Sequence, residues 1–157
     1  MAINPNTDFT TGAVFTADQA NRFPRGVVAY ASSTTTFNAT STQVVATGMT
    51  ATFTAVANRY YKITYFEPQF DFAATQGQYI FQRIRLTNTS GTIQNTATTM
   101  NPSAFATALP GQVVAVSTFS AGSTTIVGTL FVNSGTVSVY RAAGWVATLV
   151  VEDIGPA

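Results

Sequence analysis

The chain has 157 residues, enough for one domain that buries roughly 70% of its unfolded surface, and only 8% of them are charged, against about 25% in an average soluble domain. It holds neither cysteine nor histidine, which excludes a disulfide framework, a thiolate zinc site, the commonest metal ligand and the commonest general base. Net charge is +1, and the seven basic residues (Arg22, Arg25, Arg59, Lys62, Arg83, Arg85 and Arg141) are scattered, so nucleic-acid binding, which needs clustered phosphate-neutralising charge, is not expected.

The first 25 residues read as an arm. Asn4, Pro5, Asn6 and Thr7 are turn formers, and nothing in MAINPNTDF resembles the basic and apolar regions of a signal peptide, so the expectation is a soluble chain made in a cytoplasm. Thr16 followed by Gln19 fits a capping box, which predicts one helical turn over 17–22. Phe23-Pro24 should end it, because the residue before proline is pushed out of the helical region. Phe9, Val14, Phe15 and Phe23 are the arm's apolar anchors. They either pack on the chain's own domain or dock on a neighbouring subunit or larger particle, where contacts made on assembly offset the ordering entropy.

From residue 26 the signals are those of strands. GVVAYA (26–31) is a first strand, 43–47 a second, and TATFTAV (50–56) a third, with Ala57-Asn58 turning it into RYYKITYFE (59–67). That last stretch alternates, with Tyr61, Ile63 and Tyr65 on one side and Tyr60, Lys62, Thr64 and Phe66 on the other. So much aromatic surface on both faces predicts a central strand, which Pro68 should end. QYIFQRIRLT (78–87) sets Ile80, Ile84 and Leu86 against Tyr79, Phe81, Arg83 and Arg85, and Asn88 to Gly91 form a turn. Residues 92–111 are the least regular and read as a long surface loop. Strands over 112–120, 124–132, 136–140 and 145–152 follow, separated by turns at 121–123, 133–135 and 142–144. No apolar run approaches the ~20 residues that a membrane-spanning helix needs. Eight or nine short strands with hairpin-sized turns and no long helical period predict an all-β fold: an antiparallel β-sandwich of jelly-roll type over 26–157, preceded by the arm of 1–25.

Chemistry-bearing residues are few. Glu67 and Asp71 lie four apart and could bind calcium or serve as a glycosidase pair, but no loop supplies the six or more oxygens that calcium takes. Two solvated carboxylates at a strand end, pairing Arg83 or Arg85, is the preferred reading. Glu152 and Asp153 are read the same way. Arg83 and Arg85 share a face with Tyr79 and Phe81, either as an aromatic-cationic ligand patch or, the preferred reading, as guanidiniums that lie along a subunit interface or cover aromatic core. Tyr60, Tyr61, Tyr65, Phe66, Phe70 and Phe72 could line a sugar-binding surface but are more simply core. No histidine-dependent triad and no nucleotide cradle is present, and no catalytic residue, metal site or cofactor is expected.

Three pieces, RFPRGVV (22–28), NRYYKITY (58–65) and VVEDIGP (150–156), together resemble small virion proteins of tailed bacteriophages, of the minor tail, head-fibre or decoration type, over about residues 12–157. The resemblance implies a β-sandwich that assembles, commonly as a trimer, on the outside of a capsid or tail. Its partners would then be copies of itself and phage capsid or tail proteins, and its place the virion surface. Phe9, Phe15, Arg22, Phe23 and Arg25 become the candidate attachment residues. The alternative is a tail or fibre tip that binds a host-surface carbohydrate through aromatics in 68–79 or 92–111.

Overall fold

The computed structural model describes residues 11, 12, 14 and 16–157. After a single helical turn, α1 (Ala17–Asn21), come ten strands: β1 (Gly26–Ser33), β2 (Phe37–Ala39), β3 (Val44–Ala55), β4 (Arg59–Phe72), β5 (Tyr79–Leu86), β6 (Ile93–Met100), β7 (Thr107–Thr118), β8 (Gly122–Val132), β9 (Val137–Tyr140) and β10 (Ala147–Pro156). They form two antiparallel sheets. In sheet A, β4 runs through the middle, with β7 along one edge and β10 then β9 along the other; β1 lies outside β10 and β2 outside β9. Sheet B has the order β3-β8-β5-β6. The fold is thus the all-β jelly-roll sandwich that the strand spacing predicts.

β4 is the central strand expected. Tyr61, Ile63 and Tyr65 face inward and are fully or almost fully buried against Ile80, Ile84, Ile126 and Leu130 of sheet B. At one end Tyr61 meets Phe53 and Phe119, with ring centroids 5.0 and 5.6 Å away, and its hydroxyl accepts from the Val56 N–H at 2.8 Å. The Ala57-Asn58 turn is present, and Asn58 adopts φ 59°, a left-handed conformation that asparagine tolerates better than most residues. At the sandwich's two flanks the edge strands face each other, β1 across from β3 and β6 across from β7. Polar side chains join the second pair: Asn95 Nδ2 donates to the Val114 carbonyl at 2.5 Å, and Ser117 Oγ to Gln94 Oε1 at 2.7 Å.

Four boundaries differ from expectation. Pro68 does not end β4; it sits in an irregularity between Glu67 and Phe70 where the register with β7 shifts, a place where the missing N–H breaks no ladder bond. The two strands expected over 43–56 are one strand, β3, with a similar shift between Val45 and Thr50 that the sequence shows only as Gly48. The loop expected over 92–111 is largely strand. β6 is an edge strand of alternating Thr, Asn and Ala with little apolar signal, and β7 begins at Thr107, leaving 101–106 as the connection. Among the described residues that merger removes one expected strand, while β6 and the short β2, which lies in a polar stretch without strand signal, add two, so ten stand where eight or nine are expected.

Candidate functional site

The root of the arm is built as its sequence requires. Thr16 Oγ1 accepts from the Gln19 N–H at 3.2 Å while the Gln19 side-chain oxygen accepts from the Thr16 N–H at 2.9 Å, closing the capping box, and Arg22 caps the other end. What fixes this segment on the sandwich is Arg59, the buried first residue of β4. Its Nη1 donates to the Asn21 carbonyl at 2.5 Å and its Nη2 to the Phe23 carbonyl at 2.6 Å. The same guanidinium donates from Nε and Nη2 to the Asp153 carboxylate at 2.5 and 2.7 Å, and the Gly155 N–H donates to Asp153 at 3.0 Å. Of the candidate attachment residues, Arg22 is half-buried and Phe23 and Arg25 are exposed beside this root; Phe9 and Phe15 lie outside the described residues. Asp153, expected to be solvated, is 1% exposed. It continues the inward alternation of Leu149 and Val151, and burial is made possible by Arg59.

A second buried ion pair lies further along β4. Glu67 is fully buried, not solvated, and its partner is Arg141, just beyond β9, in place of Arg83 or Arg85. Arg141 donates from Nε and Nη2 to the two carboxylate oxygens at 2.9 and 2.5 Å, and from Nη1 to the Thr47 carbonyl at 2.6 Å; its guanidinium lies 4.9 Å from the centre of the Phe37 ring. The Tyr65 hydroxyl also donates to Glu67. Burial pushes the Glu67 carboxyl above the usual carboxylate range, although Arg141 and Tyr65 pull it down. Burial, reinforced by the Glu67 charge, raises the Tyr65 hydroxyl well above the ordinary tyrosine value. Gly128 leaves room for the Tyr65 ring, since a Cβ there would stand 2.8 Å from it. Asp71 is half-buried and accepts from Gln69 Nε2 at 2.5 Å, so Glu67 and Asp71 have separate partners.

The two outer faces of the sandwich differ. Sheet A turns outward Val27 and Tyr30 from β1, Thr148 and Val150 from β10, Tyr60, Thr64 and Phe66 from β4, and Val114 and Val116 from β7. Tyr30 is 58% and Val116 55% exposed. The charges on its β4–β10 ladder, Lys62 and Glu152, pair with each other at 3.1 Å. A groove of about 830 Å³, lined among others by Tyr60, Gln94, Val116 and Phe119, opens at the lower end of this face.

Sheet B carries the cluster expected on β5. Tyr79 and Phe81 meet edge to face with centroids 5.0 Å apart, and Phe81 stacks on Phe131 across the ladder at 4.3 Å and 15°. Arg83 lies 4.5 Å from the Phe131 centroid. Arg83 Nη1 and Arg85 Nη2 donate to one shared oxygen, Gln43 Oε1, at 3.0 and 3.2 Å, and Arg85 Nη1 donates to the Gly91 carbonyl at 2.7 Å. Burial, with Arg85 alongside, lowers the pKa of Arg83. Gln43 and Phe131 are members of this cluster that sequence reasoning missed; the pairing of β8 with β5 brings Phe131 there, and that of β3 with β8 brings Gln43. Tyr61, Tyr65, Phe70 and Phe72 are core, while Tyr60 and Phe66 lie on the outer face of sheet A.

No family model matches the chain, and no curated protein matches it in sequence. Among solved structures, Eiger TNF from S. frugiperda is similar over 85% of this chain and 96% of its own, at 8% identity and a TM-score of 0.58. The VP2 subviral particle of infectious bursal disease virus aligns with 99% of this chain and 42% of its own, at 15% identity and a TM-score of 0.42. An enzymatically active domain of tailspike protein 4 from bacteriophage CBA120 aligns over 78% and 18%, at 11% identity and a TM-score of 0.29. The last two likenesses are too slight to bear on function. The first supports the jelly-roll fold and nothing beyond it.

Proposed function

We propose that this chain is a non-enzymatic structural protein of a tailed-phage virion, a homotrimer that decorates the capsid and is anchored through its N-terminal arm. The observation that carries this reading is the outer face of sheet A. Four strands about 4.8 Å apart and the 14 residues of β4 at about 3.3 Å each bound the face at roughly 890 Å², of the same order as the ~800 Å² per partner of a standard stable interface. Over 60–66 it is apolar and hydroxyl-rich, and Lys62 and Glu152 neutralise each other within the chain, so a neighbouring copy in a three-fold ring meets it without facing an unpaired charge. The virion location and three-fold order draw on the resemblance carried by 22–28, 58–65 and 150–156. The non-enzymatic reading draws on Glu67 and Asp153, each engaged by a buried guanidinium and so poorly suited to exchange protons with a substrate.

Native mass spectrometry of the full chain should give a trimer, and the double substitution Val114→Glu, Val116→Glu a monomer. The monomeric variant should keep the far-UV spectrum of the wild type but unfold at a lower urea midpoint, because assembly stabilises only the folded chain. A monomeric wild type, or a trimeric double variant, overturns the assembly. Deleting residues 1–15 spares the Thr16 cap, α1 and both carbonyls held by Arg59; the product should remain a folded trimer that no longer binds particles lacking it. Undiminished binding overturns the anchoring role.

A second reading, a fibre or tail tip that binds a host-surface carbohydrate, is favoured by one observation: the stacked Phe81 and Phe131 rings beside Arg83 on sheet B.

A further inference from the structure

Sheet B is electrostatically one-sided. None of its four strands contains Asp or Glu, yet β5 carries Arg83 and Arg85 on the same outer face. The chain's other strand-borne cations are matched: Arg59 by Asp153 and Lys62 by Glu152. Among the described residues neither Arg83 nor Arg85 has a carboxylate partner, and the Nε–H of each is buried without an acceptor. Arg83 and Arg85 stand two positions apart on one strand face, with Cα atoms about 6.6 Å from each other, and their guanidiniums converge on a single neutral amide oxygen. An anion is the chemistry this arrangement lacks. Alongside, Tyr79, Phe81 and Phe131 form a half-buried apolar wall, and Thr96 and Thr98 on β6 flank Arg83 and Phe81 with hydroxyls.

We infer that the outer face of sheet B is a binding site for an acidic sugar, a carboxylated glycan unit whose carboxylate is held by Arg83 and Arg85 while its C–H side lies against the apolar wall of Tyr79, Phe81 and Phe131. A guanidinium presents a planar fork that matches a carboxylate, and a half-buried aromatic wall accommodates the apolar side of a sugar ring. Gln43 acts as the positioning residue. Its amide nitrogen donates to Thr129 Oγ1 at 3.1 Å and to the Thr89 carbonyl at 3.2 Å, which fixes the oxygen that both guanidiniums share. A phosphate would satisfy the charge but leave the aromatic wall unused, which is why the carboxylated sugar fits better. The site lies on the opposite side of the sandwich from the subunit contact proposed above and stays open in that assembly. It rests on the glycan-binding reading, and names the ligand class.

Isothermal titration calorimetry of the full chain at low salt tests it, with sialyllactose against lactose, trigalacturonate against its methyl ester, and inorganic phosphate. At least one acidic oligosaccharide should bind with a Kd below about 1 mM, at least tenfold more tightly than its neutral counterpart. Arg83→Gln should weaken it about tenfold or more, Arg83→Lys less, and Phe131→Leu severalfold. Equal binding of the neutral counterpart overturns the acidic-sugar assignment while leaving a glycan-binding face standing. No binding of any sugar overturns both, and phosphate binding as tightly as the sugars overturns the sugar in favour of a bare anion site. Because the paired ligands are compared on the unaltered protein, the outcome does not hinge on the variants folding.

Discussion

Arg141→Met should destabilise the fold by about 3–5 kcal/mol at neutral pH, the largest effect expected of any single substitution here. The loss does not measure the strength of the ion pair. It arises because the Glu67 carboxylate would remain fully buried with only the Tyr65 hydroxyl to satisfy it. Replacing both residues, as in Arg141→Met with Glu67→Met, should recover most of it, since a buried pair and an apolar substitute of similar volume are often close in energy. The effect also has a pH signature. Burial already holds the Glu67 pKa above its ordinary value of 4.5 in the wild type, and removing Arg141 removes the principal opposing influence, so the value rises further. A carboxyl whose folded pKa is raised contributes stability that is fully present below its unfolded pKa and lost as pH rises through the folded one. Urea unfolding of the Arg141→Met variant should therefore show the defect smallest below about pH 4.5 and growing above it, while the double variant lacks this dependence. A defect independent of pH, or a double variant no better than the single, would show that Glu67 is not the source.

The second large effect is expected at Arg59. Arg59→Met strands Asp153 in the interior with only the Gly155 N–H as donor, which should again cost about 3–5 kcal/mol. It also removes both donors that hold the carbonyls of Asn21 and Phe23. Two readouts should consequently move together: the urea midpoint falls, and limited proteolysis cuts within 16–25 sooner than in the wild type. Arg59→Lys separates the two. An ammonium can keep company with Asp153 but cannot reproduce the fork that reaches four acceptors, so stability should recover in part while the segment stays easily cut. Equal protection of 16–25 in all three proteins would mean that Arg59 does not hold the arm root.

Much of this was legible from residue order. The alternation in RYYKITYFE made β4 central and put Tyr61, Ile63 and Tyr65 inside, and Thr16 with Gln19 marked the start of α1. The same alternation, carried two residues further in each case, places Arg59 and Glu67 on the inner face of β4 and Asp153 on that of β10. Glu67 and Asp153 read as solvated only where charge is weighed above period. Their partners could not be read at all: Arg141 lies 74 residues from Glu67, and Asp153 94 residues from Arg59, and only the sheet pairings bring them together. β6 escaped notice for a different reason. An edge strand with one polar face and few large apolar residues gives the same composition as a loop, and it is made a strand by pairing with β5.

The facing flanks of the sandwich matter most where many copies crowd together. A strand whose N–H and C=O groups point into solvent is a template on which another chain can zip up, and crowding favours such growth. Here β1 looks across at β3 and β6 at β7, and Asn95 already occupies the Val114 carbonyl. Where copies of such a sandwich are packed closely, flanks covered in this way leave fewer open backbone groups for strand addition, and contact between copies falls to the side chains of the two sheet faces.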